Sequence, residues 1–289
     1  MLDNNKILSI EDIIEKYDAI ISDIWGVIHD GYAPYEKSIN ILNKMLIKGK
    51  KIILLSNTPR PGDLSKKTMM DWGINMNDIP IYTSGDAVRE QLVSWNDDVF
   101  SKLGRKFYHL GENRNQDLLS NLEVERVDEL SEANFILISA FIDDDENIDC
   151  FDYILEEAAK YNLPAICANP DLVANHGLQL RYCAGAFSER YQKLGGVVYY
   201  YGKPDTRIYN NVINKFKDYN IMDKNKILMI GDTLETDILG ANKVGIDSVL
   251  VTSGNGKKIY DKIKIGNPDI YEGFEARPTW LSYGMRESR

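Results

Sequence analysis

Asp18-Ala-Ile-Ile-Ser-Asp23-Ile-Trp25-Gly-Val27 is an apolar run that ends in a carboxylate and a glycine-containing turn. A short apolar run of this kind predicts a strand that is buried on both faces of a parallel sheet. Ligands of open α/β sheets bind at the carboxyl ends of the strands, and a carboxylate placed there is a candidate nucleophile. We therefore take Asp23 as the first candidate site residue, with the aromatic Trp25 two positions beyond it.

The sequence that follows alternates apolar runs with amphipathic stretches. Residues 36–48 carry apolar side chains on one helical face and precede Gly49, which is typical of a helix end. Lys51–Ser56 predicts a second buried strand, residues 61–72 predict a helix, and residues 81–84 predict a third strand. Strands that alternate with helices indicate βα units, so we predict an α/β fold with a doubly wound parallel sheet.

The middle of the chain has a βα rhythm of its own. Its apolar runs predict three further strands, at residues 106–110, 135–139 and 165–168. From Gly185 the first pattern resumes, and it includes a strand at residues 197–200. We therefore predict a core domain that is interrupted by an inserted α/β domain, with residues 1–85 and 183–289 in the core and residues 86–182 in the insert.

Composition and charge exclude several classes of protein. The chain has 289 residues, of which 44% are hydrophobic and 27% charged, as in ordinary globular proteins. Its formal net charge of -10 argues against a nucleic-acid partner. No apolar run approaches the roughly 20 residues of a membrane span, and Met1-Leu-Asp-Asn-Asn-Lys6 lacks an apolar signal region. We expect a cytoplasmic protein without a membrane partner, whose three cysteines form neither a disulfide framework nor a zinc site.

Polar residues follow four of the predicted strands, and together they favour a phosphoryl-transfer site. Asp23 and Asp232 end two strands and can hold Mg²⁺, which prefers carboxylate oxygens and bridges to phosphate. The Ser56 hydroxyl and the neighbouring backbone N–H of Asn57 can donate hydrogen bonds to phosphoryl oxygens. Each element alone has an ordinary interpretation, because Ser-Asn after a strand is commonly a turn and an isolated Gly-Asp is common as well.

Two further residues complete this predicted site. Lys203, in Tyr201-Gly-Lys203-Pro204, can offset the charge of the phosphoryl oxygens and of the nucleophile, although an isolated lysine is commonly solvated. Asp237 lies just over one helical turn beyond Asp232 and can orient Lys203 or a metal-bound water.

The order and spacing of these elements resemble the four motifs of the haloacid dehalogenase superfamily. The matching stretches are Asp23-x-Trp-Gly-Val, Leu54-Leu-Ser56-Asn57-Thr58, Gly202-Lys203-Pro204 and Gly231-Asp232-x-x-x-Thr236-Asp237. The insert between the second and third motifs, Cys167-Ala-Asn169-Pro170-Asp171 and Ala184-Gly185-Ala186 look like the class IIA branch, which NagD-like phosphatases typify. The resemblance covers nearly the whole chain.

The resemblance implies a Rossmann-like core with an inserted α/β cap domain of the class IIA type. It also implies Mg²⁺-dependent hydrolysis of a small phosphorylated metabolite through an aspartyl-phosphate. Asp23 would be the nucleophile and a metal ligand, Asp232 a second ligand and Asp237 a support of the metal site. The backbone carbonyl of Trp25 would be the third protein ligand.

The remaining roles follow from the same resemblance. Ser56, Asn57 and Lys203 would hold the phosphate. Asn169 and Asp171 match a cap motif near the substrate entrance, although Asn-Pro-Asp is equally an ordinary turn. His176, Gln179 and Arg181 lie close downstream and could reach a polar substrate. The resemblance further implies a homo-oligomer that pairs through the cap.

The side chain of Trp25 departs from the family pattern. Phosphatases of the superfamily carry a second Asp at this position, which protonates the leaving oxygen and then deprotonates the attacking water. An indole does not titrate usefully, and general acid–base catalysis contributes roughly 10²- to 10⁴-fold to the rate. Trp25 as an ordinary core aromatic is the alternative, which the surrounding motif disfavours.

Three interpretations of Trp25 remain open. The enzyme acts on good leaving groups, such as acyl phosphates, phosphoanhydrides or aryl phosphates, which need no acid. Alternatively His29, four residues after Trp25, acts as a substitute acid. In the third interpretation the chain binds a phosphorylated ligand and has lost turnover.

Haloacid dehalogenation is less favoured, because Lys203 with Asp232 and Asp237 is typical of phosphate sites. Gly254-Asn255-Gly256-Lys257 lacks the hydroxyl and further glycine of a Walker motif, so we interpret it as a surface turn.

Overall fold

The structure is a computed structural model that describes residues 7–95, 98–112, 115, 118–143, 147–177 and 179–284. Its strands are β1 (Ile7–Leu8), β2 (Ala19–Ser22), β3 (Lys51–Ser56), β4 (Ile81–Thr83), β5 (Lys106–Gly111), β6 (Glu125–Val127), β7 (Phe135–Ser139), β8 (Phe141–Asp143), β9 (Ala165–Cys167), β10 (Val173–His176), β11 (Gln179–Cys183), β12 (Val198–Tyr200), β13 (Ile227–Gly231), β14 (Asp247–Val251) and β15 (Trp280–Ser282). Its α-helices are α1 (Ile10–Ile14), α2 (Glu36–Ile47), α3 (Gly62–Asp71), α4 (Ser84–Ser94), α5 (Asp152–Lys160), α6 (Ala184–Lys193), α7 (Thr206–Phe216), α8 (Leu239–Val244) and α9 (Lys257–Lys264).

The core domain is built on a parallel seven-stranded sheet with the order β1-β15-β14-β13-β2-β3-β4. Strands β2, β3 and β13 are almost entirely buried, because helices cover both faces of the sheet. Ser22 pairs with Ile230 on one side and with Leu54 on the other. The residues that follow these strands therefore lie together at the carboxyl edge of the sheet, as the sequence predicts.

A second domain is built on a parallel five-stranded sheet with the order β12-β9-β7-β5-β6. Helices α5 and α6 pack on one face, and α4 packs on the other. The small antiparallel sheet β10-β11-β8 adjoins it. The predicted fold class is confirmed: a Rossmann-like doubly wound core carries an inserted α/β domain, which we call the cap.

The predicted return to the core at residue 183 is too early. Strand β12 pairs with β9 in the cap sheet, with Tyr199 opposite Ile166. Phe187 and Tyr191 of α6 pack in the hydrophobic cluster of the cap. The hydrophobic pattern predicts a helix and a strand here but does not reveal which sheet the strand joins, and both belong to the cap and not to the core.

No helix in the described part of the chain has the length and apolar composition needed to cross a membrane.

Candidate active site

Lys203 lies at the centre of a buried charge cluster. Its ammonium Nζ donates to Asp23 Oδ1 at 2.5 Å, to Asp237 Oδ1 at 2.7 Å and to the Leu55 carbonyl at 3.1 Å. The residue is only 2% exposed. Burial disfavours the ammonium, but the carboxylates of Asp23 and Asp237 outweigh burial and hold the pKa of Lys203 well above its usual value. Lys203 is therefore charged and fixed against the predicted nucleophile.

Asp237 supports the turn that carries Asp232. Its Oδ2 accepts hydrogen bonds from the backbone N–H groups of Asp232 and Thr233, both at 3.1 Å. Gly231 makes this approach feasible, because a Cβ there would lie 2.2 Å from Asp237 Cβ. Both carboxylate oxygens of Asp237 are thus occupied by the protein, which agrees with the supporting position that the sequence indicates.

Asp232 is enclosed by two glycines and by the loop that follows β14. Its Oδ2 accepts a hydrogen bond of 2.7 Å from the Asn255 backbone N–H. Gly26 and Gly254 have positive φ angles of 82° and 51°, and a Cβ on either would lie about 2 Å from that oxygen. The stretch Gly254–Lys257 is therefore not a plain surface turn, because its first two residues form a wall of the site.

Asp23, Asp232 and Asp237 bring carboxylate oxygens within 4.8 Å of one another. Burial and the neighbouring carboxylates raise the pKa of Asp23 well above its usual value and that of Asp232 to about 7. A cation would offset both effects, and clustered carboxylates are the ligands that Mg²⁺ prefers. The donor set fits Mg²⁺: each Asp232 oxygen accepts one hydrogen bond, from the Thr233 hydroxyl at 2.8 Å and from the Asn255 N–H, and each keeps a lone pair for a cation, as Asp23 does beside Lys203.

Ser56 and Asn57 lie beside this cluster at the end of β3. Ser56 is buried, lines the cavity and accepts a hydrogen bond of 3.2 Å from the Thr58 N–H. The side chain of Asn57 accepts from the Lys203 N–H at 2.7 Å and donates to the Lys203 carbonyl at 3.1 Å. It also donates to Asp171 of the cap at 2.9 Å. The Asn57 side-chain amide therefore connects the lysine loop to the cap, and phosphate binding by its backbone N–H stays a prediction.

One cavity of about 40 Å³ joins these residues to the cap. The core domain contributes the residues that follow its strands, such as Asp23 and Asp232, and the cap contributes residues of β10 and of the loop before it. Its lining consists of Asp23, Trp25, Gly26, Asp30, Tyr35, Ser56, Asn57, Asp171, Val173, Ala174, Asn175, Lys203, Asp232, Thr233, Thr236, Asp237, Gly254 and Asn255.

Trp25 reaches from the core to the cap. Its indole Nε1–H donates to the backbone carbonyl of Asn175 in β10. Its ring lies 5.8 Å from the ring of Phe141 and 5.9 Å from that of His176, measured between centroids. The Trp25 side chain thus lies between the two domains, in the wall of the cavity that also holds Asp23.

The structure does not place His29 in the cavity, and the substitute-acid interpretation loses its basis. The His29 ring is packed between Trp25 and Trp72, at 5.0 Å from each. Its Nδ1 accepts a hydrogen bond of 2.8 Å from the Gly31 N–H. Burial lowers the pKa of His29 to about 4, so the imidazole is neutral at pH 7 and lacks the imidazolium proton that a general acid would donate.

The predicted cap residues divide into one that lines the cavity and several that do not. Burial raises the pKa of Asp171 to about 6, and this residue faces the cavity. Asn169 instead accepts a hydrogen bond of 3.1 Å from the Asp171 N–H and fixes the turn. His176 and Arg181 pack against the ring of Phe141.

Several lining residues are absent from the predicted site, among them Asn255, Asn175 and Asp30. Asn255 follows β14, whose carboxyl end lies next to that of β13, so its position in the strand order was the signal for it. Asn175 and Asp30 carried no comparable signal, because they come together only when the cap meets the core.

The chain is similar to known hydrolases over almost its full length. Residues 20–125 match the family model described as haloacid dehalogenase-like hydrolase, and residues 200–272 match a second one described as HAD-hydrolase-like. The ribonucleotide monophosphatase NagD of Escherichia coli is 26% identical over 285 residues, which cover 93% of this chain and 96% of NagD. Phosphoglycolate phosphatase 1A of Arabidopsis thaliana is 26% identical over 267 residues, 84% of this chain and 71% of that protein.

A solved structure strengthens this likeness. The crystal structure of a hydrolase of the haloacid dehalogenase-like family from Brucella suis 1330 superposes with a TM-score of 0.80 at 30% sequence identity. The match covers 96% of this chain and 98% of that structure. The chain belongs to the haloacid dehalogenase-like hydrolases, in their class IIA, NagD-like branch. It is an enzyme of the hydrolase class.

Proposed function

We propose that this protein is a Mg²⁺-dependent phosphatase that hydrolyses a small phosphorylated metabolite with a good leaving group through an aspartyl-phosphate. The observation that carries the proposal is the direct contact of Lys203 with Asp23 in a buried cavity that also holds Asp232. Phosphatases among the relatives support the same chemistry. The Trp25 side chain at the acid position supports the preference for good leaving groups.

In the first step a carboxylate oxygen of Asp23 attacks phosphorus. The bond between phosphorus and the leaving oxygen breaks, and the leaving group departs with the electron pair. Lys203, whose ammonium already contacts Asp23, offsets negative charge on the phosphoryl oxygens. Mg²⁺ held by Asp23, Asp232 and the Trp25 carbonyl would supply further neutralisation of those oxygens.

In the second step water attacks the phosphorus of the aspartyl-phosphate, Asp23 leaves as a carboxylate, and the proton of the water passes to solvent. Ser56 and the Asn57 N–H would bind phosphoryl oxygens in both steps. Asp237 keeps Lys203 in place throughout through its 2.7 Å hydrogen bond. The Trp25 indole does not protonate the leaving oxygen, so an alkoxide leaves slowly and a carboxylate leaves readily.

A pair of small substrates tests this proposal. With Mg²⁺, acetyl phosphate should be hydrolysed roughly 10²- to 10⁴-fold faster than glycerol phosphate, because only the alkoxide needs an acid. Trp25→Asp should narrow the difference by raising the rate on glycerol phosphate. Equal wild-type rates on the two substrates would contradict the leaving-group preference. No phosphate release from either one, together with a phosphorylated ligand retained in native mass spectrometry, would identify a binding protein instead.

A further inference from the structure

We propose that Trp25 and the cap strand β10 set an upper limit on the size of the leaving group, so that the enzyme selects phosphorylated compounds with a leaving group of only a few heavy atoms, such as small acyl phosphates. This inference rests on the proposed function and deepens it. It gives Trp25 a role in specificity at a position where it cannot act as an acid.

The first observation is the contact between Trp25 and the cap. The indole N–H donates to the Asn175 carbonyl, and the ring packs against Phe141 of β8. Gly31 leaves little space on the core side, because a Cβ there would lie 2.4 Å from Trp25 Cζ2. The indole is thus held from both domains and has no room to rotate away from a larger substrate.

The second observation concerns the orientation of β10. The Asn175 side chain reaches the core, since its Nδ2 donates to Asn255 Oδ1 at 3.2 Å. Side chains two positions apart in a strand point to the same face, so Val173 also points toward the core. Val173 and Asn175 both line the cavity that Asp23 also lines. The indole of Trp25 and the side chains of β10 therefore bound the cavity on the cap side.

The third observation is the size of the cavity. The cavity measures about 40 Å³, and a single buried water needs about 10–15 Å³. A phosphoryl group, with three oxygens around phosphorus, therefore fills a space of this size. The leaving group then has to lie against the residues that line the cavity from the cap side, which include Val173 and Asn175.

Acetyl phosphate and benzoyl phosphate separate size from leaving-group chemistry, because both release a carboxylate of similar basicity. Wild-type kcat/KM should favour acetyl phosphate by about tenfold or more, the order of a steric mismatch in a closed pocket. Trp25→Ala and Val173→Ala enlarge the cavity from the core and from the cap, and each should bring the ratio toward one. Trp280→Ala, which removes an indole in β15 outside the cavity, should leave the ratio as in the wild type.

Binding of non-hydrolysable analogues tests the size limit without turnover. Calorimetry with Mg²⁺ should show methylphosphonate binding about tenfold tighter than phenylphosphonate to the wild type, with the ratio falling in Trp25→Ala and Val173→Ala. The inference would be overturned if the wild type showed equal kcat/KM for the two acyl phosphates and equal affinity for the two phosphonates. It would also be overturned if neither Trp25→Ala nor Val173→Ala changed these ratios. If neither acyl phosphate is hydrolysed but the phosphonate ratio is as expected, the proposed function fails and the size limit stands.

Discussion

The charge cluster around Lys203 and the contact between Trp25 and β10 line the same cavity but are held together in different ways. Asp23 and Asp237 follow core strands, whereas Lys203 follows the cap strand β12, and buried ionic hydrogen bonds join the three residues. Trp25 meets Asn175 and Phe141 across the two domains through one hydrogen bond and ring packing. The cluster therefore fixes the charged groups of the site through ionic hydrogen bonds, whereas the contact of Trp25 with β10 shapes the space that a substrate enters.

Removal of the nucleophile should give the largest effect and tests whether the cluster alone carries the chemistry. Asp23→Asn keeps the shape of the side chain but removes the negative charge that attacks phosphorus. We expect phosphate release from acetyl phosphate to fall by roughly 10⁴-fold or more, the order observed when a covalent nucleophile is removed. Circular dichroism should show an unchanged fold. Wild-type activity in Asp23→Asn would remove Asp23 from the mechanism.

Removal of the Lys203 ammonium tests how strongly the stability of the protein depends on the charge balance of the cluster. Lys203→Met leaves two buried carboxylates without their partner, and breaking a buried ion pair costs about 3–5 kcal/mol of unfolding free energy. The matched control is Lys257→Met, whose exposed pair with Asp261 at 2.6 Å should contribute at most about 1 kcal/mol. Urea unfolding in EDTA measures both variants. Equal stability losses would show that burial does not strengthen the Lys203 pairs.

Alanine substitutions of two glycines should give a smaller effect. They compare a glycine that lines the site with a glycine in an ordinary turn. Gly254 and Gly245 have positive φ angles of 51° and 70°, but only at Gly254 would a Cβ meet the Asp232 carboxylate, at 1.9 Å. Both alanine variants should lose about 1 kcal/mol of stability from backbone strain. Only Gly254→Ala should also lower kcat, because it displaces Asp232. A normal kcat in Gly254→Ala would mean that the position of the Asp232 carboxylate is not critical.

The sequence predicts the Lys203 cluster well for a physical reason. Parallel strands are buried on both faces, so their sequences are apolar runs, and the polar residue after each run lies at a common edge. Asp23, Ser56 and Asp232 carry this signal at the edge of the core sheet, whereas Lys203 follows β12 of the cap sheet and reaches Asp23 from there. The proximity of the three core residues follows from the fold class, although the metal and phosphate roles assigned to the four residues remain proposals.

The rest of the site depends on contacts that no local pattern encodes. The partner of the Trp25 indole is a backbone carbonyl about 150 residues later in the chain, in a cap strand of which only His176 is predicted to reach the substrate. The same limit explains β12, where Val198–Tyr200 is compatible with a strand in either domain and only its pairing with β9 decides. His29 shows the converse, since its proximity in sequence to Trp25 suggested a chemical role that its packing excludes.

The strand order also has a consequence for synthesis of the chain on the ribosome. Strand β2 lies between β3 and β13, but β13 is made about 200 residues after it, behind the whole cap. At roughly 5–20 residues per second, that edge of β2 waits on the order of 10–40 s for its partner. During this interval an apolar strand edge is open to pairing with other chains. We therefore expect newly made chains to need chaperones that shield this edge of β2 until β13 emerges.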